Sequence, residues 1–139
     1  MPFVLDNSVV TGWYLPDQAT DYTAAVAERL TADRAVVPAL WLLELANVLK
    51  TACTRGKLTV EAARQVTDTL GALPITVDAG PASGARQLLE LALRYQLSSY
   101  DAAYLELAMR HGLPLASQDA QLRTAAGQAG VSLVSPPTA

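Results

Sequence analysis

Four acidic residues of this sequence stand where short apolar runs end or where helical patterns begin. Asp6 directly follows one apolar run, and Asp119 closely follows another. Asp101 and Glu44 fall in the first turns of predicted helices. If the apolar runs are strands of one parallel sheet, all four acids lie beyond its carboxyl ends, where such sheets bind ligands. Carboxylates that converge on one pocket repel each other strongly. The hard cations Mg²⁺ and Mn²⁺ prefer carboxylate and water oxygens, so the pattern predicts a magnesium or manganese site.

Glu44 is the most unusual of these acids because it interrupts an apolar helical pattern. It lies in WLLELANVLK, residues 41–50, with a leucine on each side. An ionised carboxylate in apolar surroundings is unfavourable unless a partner compensates it. Asn47 follows one turn later and can share a helix face with Glu44. We therefore expect Glu44 to face a cation or a polar pocket, with a solvent-exposed helix edge as the alternative.

The three aspartates also have purely structural interpretations. Asp6 could form an Asx turn or cap the helix that follows it. Asp101 could occupy the third position of a capping box begun by Ser98. Asp119 is a good N-cap for the last predicted helix. The sequence alone leaves these alternatives open.

The sequence offers few residues for other kinds of catalysis. The single cysteine, Cys53, excludes an internal disulfide and lies within a helical pattern. The single histidine, His111, precedes Gly112 at a helix end, where a contact with the helix dipole is expected. A histidine base for a serine or cysteine nucleophile is therefore not expected at the strand ends, and neither is a zinc site. Glycine-rich phosphate-binding motifs are also absent from the sequence.

The elements that would position the acids alternate between strands and helices. Apolar runs predict strands at 3–5, 35–37, 75–77, 113–116 and 132–134. Helical patterns predict helices at 7–15, 18–32, 39–54, 59–72, 81–96, 99–111 and 120–129. Such alternation implies right-handed crossovers, and nearly all-apolar strands are typical of a buried parallel sheet. The sequence thus predicts a three-layer α/β/α fold with a short-stranded parallel sheet.

Length and composition indicate one domain over residues 1–139. The chain is 51% hydrophobic and 17% charged, which provides enough apolar material for a core. It shows neither a secretory signal nor an apolar run near the ~20 residues of a membrane span, so we expect a soluble cytoplasmic protein. The formal net charge of −3 argues against a broadly basic nucleic-acid surface. The densest basic group is a solvated helix end or, alternatively, a local phosphate contact: Lys50, Arg55 and Lys57.

Four short motifs, taken in order, resemble the PIN-domain family. They are Leu-Asp-Asn-Ser near the N-terminus, Glu-Leu-Ala-Asn-Val-Leu on the apolar helix, Tyr-Asp-Ala-Ala-Tyr-Leu-Glu-Leu-Ala, and Leu-Ala-Ser-Gln-Asp before the last helix. No single motif is specific, but their order and spacing together are. The resemblance covers essentially the whole chain and is greatest to the VapC toxins of bacterial and archaeal toxin–antitoxin pairs.

The resemblance implies an endoribonuclease that depends on Mg²⁺ or Mn²⁺ and hydrolyses RNA with a metal-activated water. The family's four acidic metal-site positions correspond to Asp6, Glu44, Asp101 and Asp119. The three aspartates would bind the metal directly or through water. Glu44 would bind metal or orient the attacking water.

The resemblance also implies supporting residues and partners. Ser8 and Ser117 match small hydroxyl positions of the family and would donate hydrogen bonds behind the metal ligands, and Asn47 matches a polar position one turn after the glutamate. A homodimer is implied, together with a VapB-like antitoxin whose C-terminal segment lies across the active-site groove. Three aromatic residues are candidates for a partner surface: Trp13, Tyr14 and Trp41. Core packing is the alternative for all three, and it is favoured for Trp41.

Two other functions remain open on the sequence. One is a phosphoryl-transfer domain, either a receiver or a phosphatase of the haloacid-dehalogenase type. Such a phosphatase needs a second acid two residues after Asp6, where Ser8 stands. A receiver could use Asp78 as its phosphoacceptor but needs a later lysine, and no lysine follows Lys57. The other is a catalytically silent interaction module that keeps the acids as helix caps.

Overall fold

The fold is built on a parallel sheet whose central strands are buried. In the computed structural model, which describes residues 1–135, the strands lie in the order β3-β2-β1-β4. They are β1 (Phe3–Leu5), β2 (Ala35–Pro38), β3 (Ile75–Asp78) and β4 (Leu115–Ala116). All three neighbouring pairs are parallel, so the strands share one carboxyl edge. The predicted parallel α/β fold is confirmed.

The connections between the strands are mostly helical. They are α1 (Asn7–Tyr14), a 3₁₀ turn (Pro16–Gln18), α2 (Asp21–Arg29), α3 (Leu40–Thr54), α4 (Val60–Gly71), α5 (Ala85–Tyr95), α6 (Ser99–His111) and α7 (Ala120–Gln128). Helix α6 packs against β1, β2 and β4, while α1 packs against α2 and α3. Within residues 1–135, no helix combines the length and apolar character that crossing a bilayer requires.

Five predicted helices agree with α1, α3, α4, α6 and α7 to within one residue at each end. The helix predicted at 18–32 begins later, at Asp21, because Thr20 and Thr23 cap each other. Thr20 Oγ1 accepts from the Thr23 amide at 3.1 Å, and Thr23 Oγ1 accepts from the Thr20 amide at 3.0 Å. The helix predicted at 81–96 begins only at Ala85, because Gly84 has a positive φ of 58° that no α-helix contains.

Two predicted strands near the C-terminus are shorter than expected. The strand predicted at 113–116 is reduced to Leu115–Ala116, which begins after Pro114, a residue without an amide hydrogen for the ladder. The prediction of a strand at 132–134 is wrong. This segment forms a single parallel bridge, in which the Leu115 amide donates to Ser132 O at 2.9 Å and the Val134 amide donates to Leu115 O at 2.8 Å.

The core gathers around β1 and α6. All of β1 is buried, and so is the whole stretch of α6 from Ala102 to Ala108. A helix buried on all sides lies between other elements, as α6 does between the sheet, α5 and α7. Because Asp101 directly precedes this buried stretch, the packing of the core fixes the backbone position from which its side chain extends.

The predicted aromatic partner surface is largely core. Trp41 is 4% exposed, so core packing is the correct interpretation for it. Trp13 and Tyr14 are half-buried and pack against the core. The Trp13 indole donates a 2.7 Å hydrogen bond to Thr23 O, which ties α1 to α2.

The contact between α1 and α2 predicts that Gly12→Ala is destabilising. A Cβ at Gly12 would lie 2.5 Å from Thr23 Cγ2, and the buried Thr23 is held by its capping bonds. Overpacking of this kind lowers the free energy of unfolding by about 1–3 kcal/mol, despite alanine's better helix propensity. Urea denaturation, monitored by circular dichroism, measures this change in the free energy of unfolding.

The matched control is Gly127→Ala in α7, where an added Cβ meets no atom within 4 Å. This substitution is expected to raise the free energy of unfolding by about 0.5–1 kcal/mol through helix propensity alone. If both variants were stabilised, α1 and α2 would not be held at the contact distance described here.

Candidate functional site

The four predicted acids come together at the carboxyl edge of the sheet. Asp6 follows β1, and Glu44 lies in α3 after β2. Asp101 lies in the first turn of α6, and Asp119 precedes α7 after β4. The negative charges of Asp119, Asp6 and Glu44 all contribute to raising the pKa of Asp101. The carboxylates therefore share one electrostatic environment, although they are contributed by four separate parts of the chain.

Asp6 is buried at the centre of this site and is held by two hydroxyls. Its Oδ2 accepts hydrogen bonds from Ser8 Oγ and Ser117 Oγ, each at 2.8 Å. Burial raises the pKa of Asp6 above its ordinary value, even though these hydrogen bonds oppose the shift. Asp6 occupies the N-cap position of α1, but its side chain makes no capping hydrogen bond. The capping interpretation therefore does not explain why an aspartate stands here.

Ser8 and Ser117 also connect the loops that carry the acids. Ser8 Oγ accepts from the Gln118 amide at 2.8 Å, and Ser117 Oγ accepts from the Asp119 amide at 3.0 Å. The Gln118 side chain in turn donates to Ser8 O at 3.0 Å. One hydrogen-bond network thus fixes the end of β1 against the end of β4 and sets the position of Asp119 relative to Asp6.

Glu44 lies at the border between core and solvent. Its neighbour Leu43 is 76% exposed, whereas Leu45 is 6% exposed, so the surroundings are apolar on one side only. Glu44 Oε1 accepts a 2.6 Å hydrogen bond from the Tyr104 hydroxyl. Burial raises the pKa of Glu44, and the charge of Asp6 adds to the shift, while Tyr104 and Asn7 oppose it.

Among the other three acids, Asp119 has the largest effect on Asp101. Burial raises the pKa of Asp101 to about 7, and the charge and hydrogen bonding of Asp119 add to the shift. The Asp101 amide donates to Ser98 Oγ at 3.1 Å, so Ser98 caps α6, without a reciprocal bond from the Asp101 carboxylate. Asp119 does cap α7, because its Oδ1 accepts from the Gln121 amide at 3.1 Å. Capping and a role in the cluster are compatible for Asp119.

The donor set fits a hard divalent cation in its chemistry. Every ligand atom on offer is a carboxylate or hydroxyl oxygen, and the raised pKa values reflect repulsion and burial that a cation would offset. In the part of the chain from residue 1 to 135, however, no three acidic, histidine or cysteine side chains are close enough to hold one ion between them. Ion binding would therefore require the carboxylates to draw closer together.

Asn47 lies apart from the acids. It is exposed on α3 and lines a groove of about 270 Å³ together with Thr11, Thr51 and Arg55. No hydrogen bond joins it to the acidic cluster among the described residues, so its supporting role remains a prediction. The basic group ends the same helix and is exposed, with Lys57 Nζ 3.1 Å from Asp17 Oδ2.

A second charged cluster lies away from the acids and has a structural explanation. The Arg110 guanidinium binds the buried Glu106 at 2.8 Å and also binds Asp78. These hydrogen bonds hold the pKa of Asp78 well below its usual range. His111 Nε2 lies 3.1 Å from Asp78 Oδ1, so this histidine contacts a carboxylate in addition to ending a helix. Because Asp78 is occupied by Arg110, it is poorly suited to be a phosphoacceptor.

Three polar residues of the site were not identified from the sequence: Asn7, Tyr104 and Gln118. Tyr104 follows Asp101 by three residues on one helix, which places both on neighbouring faces and was a usable signal. Asn7 directly follows Asp6 and is buried, with its amide donating to Trp41 O at 3.2 Å. Its orientation depends on the packing of α1 against α3, which no local pattern encodes.

The raised pKa of Asp101 predicts that Asp101→Asn stabilises the metal-free protein only at neutral and alkaline pH. The pKa is about 7 when folded against 3.8 for the ordinary carboxyl, so the folded state loses stability as the pH rises through this window. In EDTA at pH 8, the variant should be more stable by on the order of 1–2 kcal/mol after solvent screening, and at pH 4 the difference should vanish. Thermal unfolding across this pH range measures both.

The control for this prediction is Asp21→Asn, the same change at an exposed first-turn position of α2. That substitution removes a favourable helix-dipole interaction and should lower stability by a few tenths of a kcal/mol, about the low end of such contacts. A loss of the same size and sign for Asp101→Asn at pH 8 would contradict repulsion within the acidic cluster.

Comparison with known proteins identifies relatives over most of the chain. The family model for the PIN domain matches residues 3–128. No curated protein matches the chain.

Several solved structures have a similar fold. PAE2754 from Pyrobaculum aerophilum is 23% identical, with a TM-score of 0.65 over 90% of this chain and 87% of that one. VapBC2 from Rickettsia felis, bound to a DNA fragment from their promoter, is 13% identical, with a TM-score of 0.66 over 96% and 98%. VapC20 from Mycobacterium tuberculosis, a Sarcin-Ricin loop cleaving toxin, is 15% identical, with a TM-score of 0.65 over 96% and 99%. At these identities the similarity shows the fold alone.

Proposed function

The chain belongs to the PIN domain family, and on that premise we propose that it is a divalent-metal-dependent endoribonuclease, the toxin of a toxin–antitoxin pair. The observation that carries the proposal is the electrostatic coupling of Asp6, Glu44, Asp101 and Asp119 at one edge of the sheet. Support also comes from the fold it shares with VapC20, which is described as a Sarcin-Ricin loop cleaving toxin.

The reaction is hydrolysis of an RNA phosphodiester bond, with water as the nucleophile. Mg²⁺ or Mn²⁺, when bound, would lower the pKa of a coordinated water and stabilise negative charge on the phosphate. Asp6, Asp101 and Asp119 are the residues that would hold the ion. Glu44 would hold it or orient the attacking water. Both serine hydroxyls bind the same oxygen of Asp6, which fixes the plane of that carboxylate before any ion arrives.

The test is RNA cleavage by the purified protein with Mg²⁺ or Mn²⁺, and its loss in EDTA. Asp6→Asn removes the most buried of the four carboxylates and is expected to reduce cleavage by more than the roughly 10–100-fold typical of residues that only support metal ligands. Asp21→Asn, a remote change of the same kind, should leave the rate unchanged. Cleavage that persists in EDTA would exclude the metal mechanism, and metal-loaded protein without cleavage of any RNA would favour the interaction module.

A homodimer and an antitoxin partner are part of the proposal. Four leucines on two helices are more than half exposed, which is typical of partner surfaces: Leu42 and Leu43 on α3, and Leu89 and Leu93 on α5. The start of α3 and α5 border a common cavity of about 340 Å³, lined by Leu40 and Leu88, so the helices that carry these leucines are neighbours there. We assign this leucine surface to the homodimer, in place of the aromatic residues.

The leucine surface predicts that Leu93→Glu abolishes dimerisation. A charge in a buried apolar interface is strongly unfavourable, so light scattering should give twice the chain mass for the parent and the single chain mass for the variant. Val60→Glu is the control, because Val60 is similarly exposed but lies on α4. A parent protein that is monomeric at high concentration would contradict the dimer.

A further inference from the structure

The hydroxyl of Tyr104 reaches from the core to the acidic site. Tyr104 is fully buried in α6, and its hydroxyl donates the 2.6 Å hydrogen bond to Glu44 Oε1. The two residues are 60 positions apart in the chain. A ring enclosed by the core cannot follow a moving carboxylate, so the bond ties Glu44 to a fixed point.

Glu44 needs such an anchor because its own helix does not provide one. Its neighbours Leu43 and Asn47 are exposed, so the glutamate side chain has free space toward solvent. A glutamate on an open helix edge samples many rotamers. The bond from Tyr104 selects one arrangement in which Oε1 is engaged, and the Asn7 side chain is a second polar neighbour of the carboxylate.

Asn7 is a second polar neighbour of Glu44, besides Tyr104. Its side chain is 7% exposed and donates to Trp41 O near the start of α3. Its Oδ1 is buried without a hydrogen-bond partner among residues 1–135. An unpaired buried acceptor is unfavourable, so Asn7 Oδ1 would be stabilised by any donor that binds beside it.

We propose that Tyr104 is a positioning residue that orients the Glu44 carboxylate for the metal ion or its water. This inference rests on the proposed function, since it requires a divalent ion at the acidic site. It assigns Tyr104 no contact with substrate; the residue acts through Glu44 alone. A purely structural role would instead make the hydroxyl a satisfied buried group with no influence on metal binding.

Mn²⁺ affinity distinguishes these roles and can be measured without RNA, by electron paramagnetic resonance of free Mn²⁺. Tyr104→Phe removes only the hydroxyl and is expected to weaken Mn²⁺ binding about 10-fold or more, as for other residues that orient metal ligands. The matched control is Tyr22→Phe, which removes a hydroxyl that donates a 2.8 Å bond to Val134 O, and its affinity should equal that of the parent. Parent-like affinity in Tyr104→Phe would overturn the inference.

A double-mutant cycle tests whether Tyr104 acts through Glu44. In the Glu44→Gln background, Tyr104→Phe should cause no further loss of Mn²⁺ affinity. A loss as large as in the parent would overturn the inference, because the hydroxyl would then act by another route.

A second variant covers the case in which Tyr104→Phe fails to fold. Glu44→Asp keeps the charge but shortens the side chain away from the Tyr104 hydroxyl, and it should weaken Mn²⁺ binding to a similar degree. Parent-like affinity in Glu44→Asp would overturn the inference. A parent that binds no Mn²⁺ would overturn the proposed function and this inference together, whereas a parent that binds Mn²⁺ beside unaffected variants overturns the inference alone.

Discussion

Repulsion between carboxylates at one edge of a parallel sheet is the constraint on which this structure depends. Parallel strands bring their carboxyl ends together, and here acids follow β1 and β4 directly or within a few residues. Burial raises the pKa of Asp6 and of Asp101, and the neighbouring negative charges add to the shift. The fold tolerates this unfavourable arrangement because the apolar core beneath the sheet edge is continuous.

Helix α6 stabilises the core and also positions residues of the site. Its buried stretch packs against three strands and two helices, while its N-terminal turn is fixed by the Ser98 cap. The same helix carries Asp101 into the acidic cluster and Tyr104 toward Glu44. A rigid core element thus helps to position two acids that belong to different helices, which a surface loop could not do as accurately.

The sequence predicted those parts of the fold that local chemistry determines. Helix α6 was predicted with its observed bounds because Ser98 and Gly112 mark its ends. The start of α2 was missed because Thr20 and Thr23 cap the helix through reciprocal hydrogen bonds, which the helical pattern does not reveal. The strand at 132–134 was overestimated because an apolar run does not reveal how far it pairs.

The acidic residues of the site could be predicted because they follow the ends of predicted strands or begin the helices after them. The four acids follow from the rule that ligands bind beyond the carboxyl ends of parallel strands. In the structure the other three acids all act on the pKa of Asp101, while their role in metal binding stays a prediction. The contact between Tyr104 and Glu44 could not be predicted, because it depends on how α3 packs near α6. The exposed position of Asn47 was missed for a related reason: helical periodicity places it one turn from Glu44 but does not indicate which of the two faces the acids.

The hydrogen bond between Ser117 and Asp6 joins residues 111 positions apart. During synthesis, Asp6 is therefore translated long before Ser117 and Asp119. The cluster is therefore incomplete on any nascent or truncated chain that lacks β4 and α7. Until β4 and the start of α7 have been made, Asp6 has neither the Ser117 hydroxyl nor the Asp119 carboxylate beside it.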